Sequence, residues 1–235
     1  MDMELMKECL PLLIGGTFVT LKLVFVTMIA GLVLAIPLAL MRNSKSKLLS
    51  IPAFGYIYFF RGTPLLVQLF IIYYGFSQFE AIRNSVFWIF LADSYWCSVL
   101  AFTLNTAAYA GEIIRGAILS VQKGQIEAAI SVGMSRFQIY KRIITPQAST
   151  IAIPGYSNEL VLMMKGTSLA STVALLEITG ITRNLIAETF MPVEMFFIAG
   201  CIYILLSSIF IGSLSFIEKR LVSRVPENNQ ESAYH

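Results

Sequence analysis

Residues 127–146 read EAAISVGMSRFQIYKRIITP and form a polar, basic interruption in a chain that is otherwise apolar. Around them, from residue 125 to residue 140, apolar side chains recur at a spacing typical of a helix. Gly133 divides this pattern, and Ser135 suits the position just before a second helix. The stretch therefore predicts a short amphipathic helix, a turn at Gly133 and a second helix capped by Ser135.

Five residues give this stretch its predicted character. Ala128 and Ala129 keep one side of the first helix thin, so another backbone can approach closely. Glu127 is expected near a helix start, where the positive end of the helix dipole stabilises a carboxylate. Gly133 permits a backbone conformation that residues with a β-carbon resist, and Pro146 marks the return to apolar sequence. The pattern favours docking of a cytoplasmic partner, with a solvated loop of incidental helicity as the alternative.

The composition indicates an integral membrane protein. The 235 residues are 57% hydrophobic and 13% charged, and the mean hydropathy is +0.74. A soluble domain of this length could not hide so much apolar surface in one core. The net charge of +3 is too small to indicate a nucleic-acid-binding protein. The N-terminus lacks the basic region of a secretory signal, so the first apolar segment is expected to be retained.

Five apolar segments approach the length of about twenty residues that spans a bilayer. They are residues 12–41, 62–79, 94–111, 150–176 and 195–217. The sequence therefore predicts an all-α membrane protein with about five transmembrane helices. Thr63 suits a helix N-cap and Pro64 the first helical position, so a new helix is expected to start there. Residues 51–60 are too short to span and are expected to lie along the cytoplasmic surface.

The distribution of Lys and Arg predicts the orientation. The connections after the first and third segments and the C-terminal tail are basic, whereas the other two connections are not. The N-terminus is therefore expected outside, and the C-terminus in the cytoplasm. Residues 1–225 are predicted to form one transmembrane domain that contains a cytoplasmic loop at residues 120–146. Residues 226–235 are predicted to be a disordered cytoplasmic tail.

The residue inventory argues against an enzyme. The only histidine is His235, which removes most histidine-based catalysis and metal binding. Cys9, Cys97 and Cys201 are dispersed, so they indicate neither a metal site nor a disulfide framework and are expected to be small buried residues. The sequence has no Gly-rich phosphate loop with Lys-Ser/Thr, so this chain is not expected to bind ATP.

The 127–146 stretch resembles the EAA loop of permease subunits of bacterial ABC importers. The matching positions are Glu127, Ala128, Ala129, Gly133, Ile143 and Pro146, while Thr145 stands where the family usually has Leu. Other motifs resemble polar amino acid permeases, and together they look most similar to the histidine/lysine/arginine/ornithine and opine permease subunits. These motifs are residues 60–64 with Gln68, 103–106 with Tyr109 and Glu112, 156–159, and 165–169.

The resemblance implies a type I importer permease of MetI-like fold, multi-pass in the bacterial cytoplasmic (inner) membrane. It also implies a periplasmic substrate-binding protein, two ABC ATPase subunits that bind ATP and Mg, and a second permease subunit. A related heteromeric partner is favoured over an identical copy, and the chain itself would hold no cofactor. The implied substrate is a basic amino acid (histidine, arginine, lysine or ornithine) or an opine. The residues assigned to ATPase coupling are Glu127, Ala128, Ala129, Gly133, Met134, Ser135 and Arg136.

Polar residues inside the apolar segments suggest a path for the substrate, because such residues usually face a cavity or a partner. Asn105, Tyr109 and Glu112 fall on one face of the third helix, at i, i+4 and i+7. Asn158 and Glu159 are adjacent in the fourth segment. The predicted path residues are therefore Asn105, Tyr109, Asn158 and Glu159.

Two interpretations of these residues stay open. The Glu159 carboxylate could pair with a cationic substrate in a low-dielectric interior, while Asn105 and Asn158 bind its amino or carboxylate groups. Alternatively, these residues make hydrogen bonds between helices, or Glu159 pairs with Lys165, which shares a helix face with Asn158.

Other functions are weighed against this one. A neutral or acidic polar amino acid is the alternative substrate class. A secondary transporter would typically show internal repeats and more helices, and neither is found. A membrane enzyme would need clustered His, Asp or Cys residues, and a purely structural membrane protein would leave the patterned loop unexplained.

Overall fold

The computed structural model describes residues 3–222, which are mostly helical and contain no β-strand. The helices are α1 (Met3–Arg42), α2 (Lys47–Gly62), α3 (Leu65–Phe70), α4 (Glu80–Arg83), α5 (Trp88–Leu91), α6 (Ser94–Leu119), α7 (Lys123–Ser131), α8 (Arg136–Ile139), α9 (Thr145–Gly166), α10 (Ile178–Thr189) and α11 (Pro192–Val222). Wider π-helical turns at Ile71–Gly75 and Tyr140–Ile144, and tighter 3-10 turns at Phe76–Gln78 and Thr167–Val173, extend some of them. The predicted all-α class is confirmed, while the predicted tail at residues 226–235 lies outside the described residues.

Several helices are long and apolar enough to cross a membrane. Single helices of this kind cover Cys9–Arg42, Ser94–Leu119 and Pro192–Arg220. Two bent pairs also qualify, namely Lys47–Gly62 with Leu65–Gln78, bent by 105°, and Arg136–Val173 with Ile178–Thr189, bent by 47°. The described residues thus hold three candidate spans, or up to five if each bent pair is one span. Each predicted apolar segment overlaps one of them.

Helix α6 is the centre of the bundle, and α11 lies at its edge. In the most apolar stretch of α6, 67% is buried inside the chain, compared with 17% in α11. Helices α1 and α9 pack against α6, and Leu23, Phe102 and Met164 meet in the core between them. Cys97 is buried as predicted. Cys201 on α11 is exposed, against the prediction, because the other helices bury little of the surface of α11.

The break between α2 and α3 differs in detail from the prediction. Helix α3 begins at Leu65, and Pro64 before it is extended, with φ −64° and ψ 134°. Thr63 therefore stands one position too early to cap α3, and the predicted N-cap is wrong. Thr63 ends α2 instead, because its backbone N–H and its hydroxyl both donate to the Phe59 carbonyl oxygen, at 3.1 and 2.8 Å.

Pro146 lies inside a continuous helical run and does not interrupt it. The run extends over Arg136–Val173, and the π-helical turn Tyr140–Ile144 lies just before Pro146. Proline has no N–H to donate, and its ring crowds the carbonyl four residues earlier. The wider turn gives that ring room, so the chain enters α9 without a break.

Helix α10 lies in a segment that the sequence treated as a connection between spans. Its N-cap, Glu177, is 0% exposed. One carboxylate oxygen accepts from the Gly180 N–H at 2.8 Å, and the other accepts from the Tyr203 hydroxyl on α11 at 2.7 Å. On the opposite side, the Thr20 hydroxyl of α1 accepts from the Ile178 N–H at 3.3 Å. Glu177 is thus a buried cap, because α1 and α11 pack around the start of α10.

Candidate functional site

The loop between α6 and α9 has the predicted helix–turn–helix form. Helix α7 is followed by Gly133 at φ +79°, and Ser135 caps α8. The Ser135 hydroxyl accepts from the Gln138 N–H at 3.4 Å, while the Gln138 side-chain oxygen accepts from the Ser135 N–H at 2.8 Å. This reciprocal capping box fixes the start of α8, and the local prediction is confirmed.

The loop is fastened to the bundle through an apolar cluster of its own. The buried members are Ala117, Val121, Ala129, Ile139, Ile144 and Ala148, from α6, the loop and α9. The Gln147 side-chain amide on α9 also donates to the Gln125 side-chain oxygen on α7 at 2.5 Å. The loop is therefore packed against both long helices, α6 and α9.

The residues predicted to couple to an ATPase divide into two groups. Glu127, Ala128, Gly133, Ser135 and Arg136 are exposed. Ala129 is 4% exposed and Met134 is half-buried, since both face the cluster beneath the loop. These two side chains therefore pack the loop against the bundle. Glu127 is the fifth residue of α7, so the expected dipole effect near a helix start is wrong for it.

Three exposed apolar residues complete the outer side of this loop. Ile130, Val132 and Phe137 are 60%, 77% and 74% exposed, and we call them the loop surface. In the sequence they belong to the helical pattern of apolar residues between positions 125 and 140. The sequence did contain a signal for this exposed surface, because the loop has more apolar residues than one buried face of two short helices can hold.

The break between α2 and α3, the middle of α6 and the C-terminal half of α9 line an open cavity of about 290 Å³. Asn105, Tyr109 and Glu159 line it, together with Thr63, Pro64, Leu65, Leu162 and Met163. We call this the path cavity. Three of the four predicted path residues thus lie in one place.

Asn105, which lines the path cavity, is hydrogen-bonded to Gln68 at the break. The Asn105 amide donates to the Gln68 side-chain oxygen at 3.0 Å and to the Phe60 carbonyl oxygen at 3.3 Å. The Gln68 amide donates to the Phe60 carbonyl at 2.9 Å and to the Thr63 hydroxyl at 2.8 Å. The motif that contains Gln68 did not predict that this side chain holds the break together.

Glu159 is the carboxylate of the path cavity. The residue is 6% exposed, and within the described part of the chain its carboxylate makes no hydrogen bond. The positive charge of Arg61 acts on it electrostatically. The Arg61 guanidinium itself lies over the Tyr109 ring, 5.1 Å from the centroid. Glu159 is therefore a buried acid without a fixed partner in contact.

Asn158 and Lys165 do not line the path cavity. Both are exposed on the outer side of α9, so Asn158 does not line this cavity. Successive residues of an α-helix point about 100° apart, which separates Asn158 from the adjacent Glu159. The same geometry turns Lys165 away from Glu159, and no ion pair between them occurs in the described residues. Asn158 and Lys165 were predicted to share one face of this helix, and both are exposed on the same outer side of α9.

Glu112 belongs to a second cavity, of about 520 Å³, which shares Thr63 and Tyr109 with the path cavity. Its carboxylate forms an ion pair with Arg115, one turn along α6. The predicted polar face of α6 therefore runs past both cavities. Within residues 3–222, no three His, Cys, Asp or Glu side chains are grouped so that they could hold a metal ion.

Comparison with known proteins gives a consistent result. Residues 31–223 match the family described as binding-protein-dependent transport system inner membrane component. The octopine transport system permease protein OccM of Rhizobium meliloti is 54% identical over 213 residues, 91% of this chain and 84% of the relative. The histidine/lysine/arginine/ornithine transport system permease protein HisM of Escherichia coli (strain K12) is 41% identical over 211 residues, 89% of each chain. A solved amino acid ABC transporter, with histidines, has a chain that matches with a TM-score of 0.84 and 33% identity, covering 94% of this chain and 99% of that one.

Proposed function

Because this chain belongs to the family of binding-protein-dependent transport system inner membrane components, we propose that it carries basic amino acids or opines across the bacterial cytoplasmic membrane. The chain is a permease subunit and not an enzyme, and its fold is that of an ABC importer permease. Two of its relatives are named for octopine and for histidine, lysine, arginine and ornithine. These names support a polar substrate with a cationic side chain.

The observation that carries the proposal is Glu159 in the path cavity. A buried carboxylate without a hydrogen-bond partner is costly in a low-dielectric interior, and an entering cationic side chain would supply the missing charge. Asn105 and Tyr109 line the same cavity. The Asn105 amide is already engaged by Gln68 and Phe60, so its carbonyl oxygen is the group left to accept from the substrate amino group.

The experiment is uptake by the reconstituted complex with Glu159→Gln, which keeps the shape of the side chain and removes its charge. Arginine uptake is expected to fall by at least about tenfold relative to a neutral amino acid such as glutamine, since a buried ion pair is lost. Glu218→Gln, at the far end of α11, is the matched control and should leave this ratio unchanged. An unchanged ratio in Glu159→Gln would reject the pairing of Glu159 with the substrate.

The loop of residues 120–146 is proposed to dock on one ATPase subunit, which binds ATP and Mg. The exposed Glu127, Gly133 and Arg136 and the apolar loop surface support this role, because an apolar patch rimmed by polar residues is typical of a protein interface. Closing of two ATPase subunits would then move the packed loop and tilt α6 and α9 between two states of the path. The basic connections support a cytoplasmic loop, an outward N-terminus and an inward C-terminus.

A second permease subunit is proposed to cover the outer side of α9. Asn158 and Lys165 are exposed there, within a candidate span, and a charged side chain is costly against lipid. A related or identical permease chain would give both residues polar partners and close the path. The periplasmic end of the permease, on the other side of the membrane from the loop of residues 120–146, would receive a periplasmic binding protein that delivers the substrate.

A further inference from the structure

The second cavity, of about 520 Å³, is distinct from the path cavity in its charge. It lies where α1 ends, where α2 ends and where α6 carries Glu112, and it is lined by Arg42, Phe54, Tyr58, Arg61, Tyr109 and Glu112 among others. We call it the arginine cavity. Neither the coupling loop nor the pairing of Glu159 with a substrate gives it a role.

Two guanidinium groups in this cavity form no ion pair within the described residues. The Arg42 guanidinium lies over the Phe54 ring, 4.8 Å from the centroid, and the Arg61 guanidinium lies over the Tyr109 ring. Glu112 is the carboxylate of the lining, and it is ion-paired with Arg115. Both guanidinium groups act electrostatically on Glu112, but neither forms an ion pair with a described carboxylate. The lining therefore holds two arginine charges against the single negative charge of Glu112, which Arg115 already pairs.

Arg42 also has an unused donor. Its Nε is buried and has no hydrogen-bond partner in the described part of the chain. A buried guanidinium N–H without an acceptor is costly, and a phosphate or carboxylate oxygen satisfies it well because the planar guanidinium matches that geometry. The cavity thus has an excess of positive charge and a buried donor without an acceptor.

The surface beside the cavity indicates where that anion comes from. Helix α2 carries no charge between Lys47 and Arg61, and its side chains Phe54, Tyr58 and Phe59 are 49%, 71% and 51% exposed. An apolar, aromatic helix with basic residues at both ends suits the boundary between lipid headgroups and acyl chains. A free phosphate would gain nothing from the aromatic side of the cavity, whereas acyl chains would cover it.

We propose that the arginine cavity binds the phosphate group of an anionic phospholipid, with Arg42 and Arg61 as its ligands and the acyl chains along the exposed side of α2. Arg42 is the residue to test, because Arg61 also acts on Glu159 in the path cavity. The lipid would fill the space between the ends of α1 and α2 and hold the 105° bend between α2 and α3 in place.

The test measures lipid retained by the purified permease–ATPase complex, by native mass spectrometry, after incorporation into nanodiscs of phosphatidylglycerol or of phosphatidylcholine. The unmodified complex is expected to retain phosphatidylglycerol in preference to phosphatidylcholine. Arg42→Gln should weaken that retention by about fivefold, the effect of one basic residue near an anionic lipid surface. Arg42→Lys keeps the charge and loses the planar guanidinium. Its retention of phosphatidylglycerol should lie between that of the unmodified complex and that of Arg42→Gln, and this variant guards against a simple folding defect.

Lys45→Gln is the matched control, because it removes one exposed positive charge from the same α1–α2 connection without touching the cavity. Equal loss of lipid in Lys45→Gln and Arg42→Gln, or no loss in Arg42→Gln, would overturn the proposal. A third arm adds inorganic phosphate to the detergent-solubilised complex. Thermal stabilisation by inorganic phosphate, lost in Arg42→Gln, without any preference for phosphatidylglycerol would assign the site to free phosphate and overturn the lipid assignment.

Discussion

Asn105 on α6 and Gln68 on α3 are joined by a 3.0 Å hydrogen bond between their side-chain amides, at the point where the chain turns by 105°. Both residues are buried, at 6% and 3% exposure. Through this bond the most central helix of the bundle holds the break between α2 and α3, which forms one wall of the path cavity. The cavity's shape and the position of the break are therefore set by the same pair.

Replacing Asn105 with Ala is expected to destabilise the permease and reduce uptake. The change leaves the buried Gln68 oxygen without a donor, at a cost of about 1–3 kcal/mol. Thermal unfolding of the purified complex and uptake in proteoliposomes measure the two effects. Asn184→Ala, an exposed amide on α10, is the control and should change neither. Unfolding of Asn105→Ala at the same temperature as the unmodified complex would show that the bond does not hold the break.

Replacing Gly133 with Ala is expected to weaken the coupling between ATP hydrolysis and transport without unfolding the protein. No atom lies within 4 Å of the added β-carbon, so the cost comes only from the positive φ and is about 1–2 kcal/mol. Substrate-stimulated ATP hydrolysis should fall, while the global unfolding temperature changes little. Gly124→Ala, in α7 and equally free of neighbours, should preserve stimulation, and equal behaviour of the two variants would argue against a role for the turn.

Replacing both Val132 and Phe137 with serine is expected to weaken binding of the ATPase subunits. Both side chains are largely exposed, so the permease fold should survive, while the loss of buried apolar contact weakens the complex by about 2–4 kcal/mol. The amount of ATPase that co-purifies with the permease measures this effect. Leu48→Ser, at 84% exposure in α2, is the control outside the loop. ATPase recovery equal to that of the control variant would refute the loop surface as the docking site.

Replacing Tyr203 with Phe is expected to lower stability through the start of α10. The variant removes the hydroxyl that donates to the fully buried Glu177 at 2.7 Å, and a hydrogen bond to a charged group contributes about 1.5–3 kcal/mol. Thermal unfolding should shift down for Tyr203→Phe. Tyr74→Phe, which alters a half-exposed ring, provides the control and should unfold like the original chain. Identical unfolding of the Tyr203 variant would mean that other donors satisfy Glu177.

The sequence predicted well wherever a structure depends on neighbouring residues alone. The helix–turn–helix loop follows from Gly133, which accepts a positive φ, and from Ser135 with Gln138, which form the capping box within four residues. The apolar segments likewise gave the all-α class, since their length and composition need no knowledge of packing. The prediction of Thr63 as a helix N-cap was wrong for an equally local reason, because Pro64 is extended and the helix starts one residue later.

Burial of single polar side chains was decided by the tertiary structure. Asn158 and Glu159 are adjacent and equally polar, yet Glu159 is buried in the path cavity and Asn158 is exposed, because α6 covers only one side of α9. The sequence could place both in a span but could not state the rotation of the helix. Glu177 is a similar case, since its partners Gly180 and Tyr203 meet only after α10 and α11 have packed.

The amino-acid sequence by itself thus determined the helical membrane class, the patterned loop and its capping, and the family resemblance, all of which depend on composition and short-range order. Only the tertiary structure decided which polar groups share a cavity, which arginines line a cavity together, and which apolar residues of the loop stay exposed. The physical reason is that burial depends on contacts between helices far apart in the chain, and these fix helix rotation and helix breaks that no local pattern encodes.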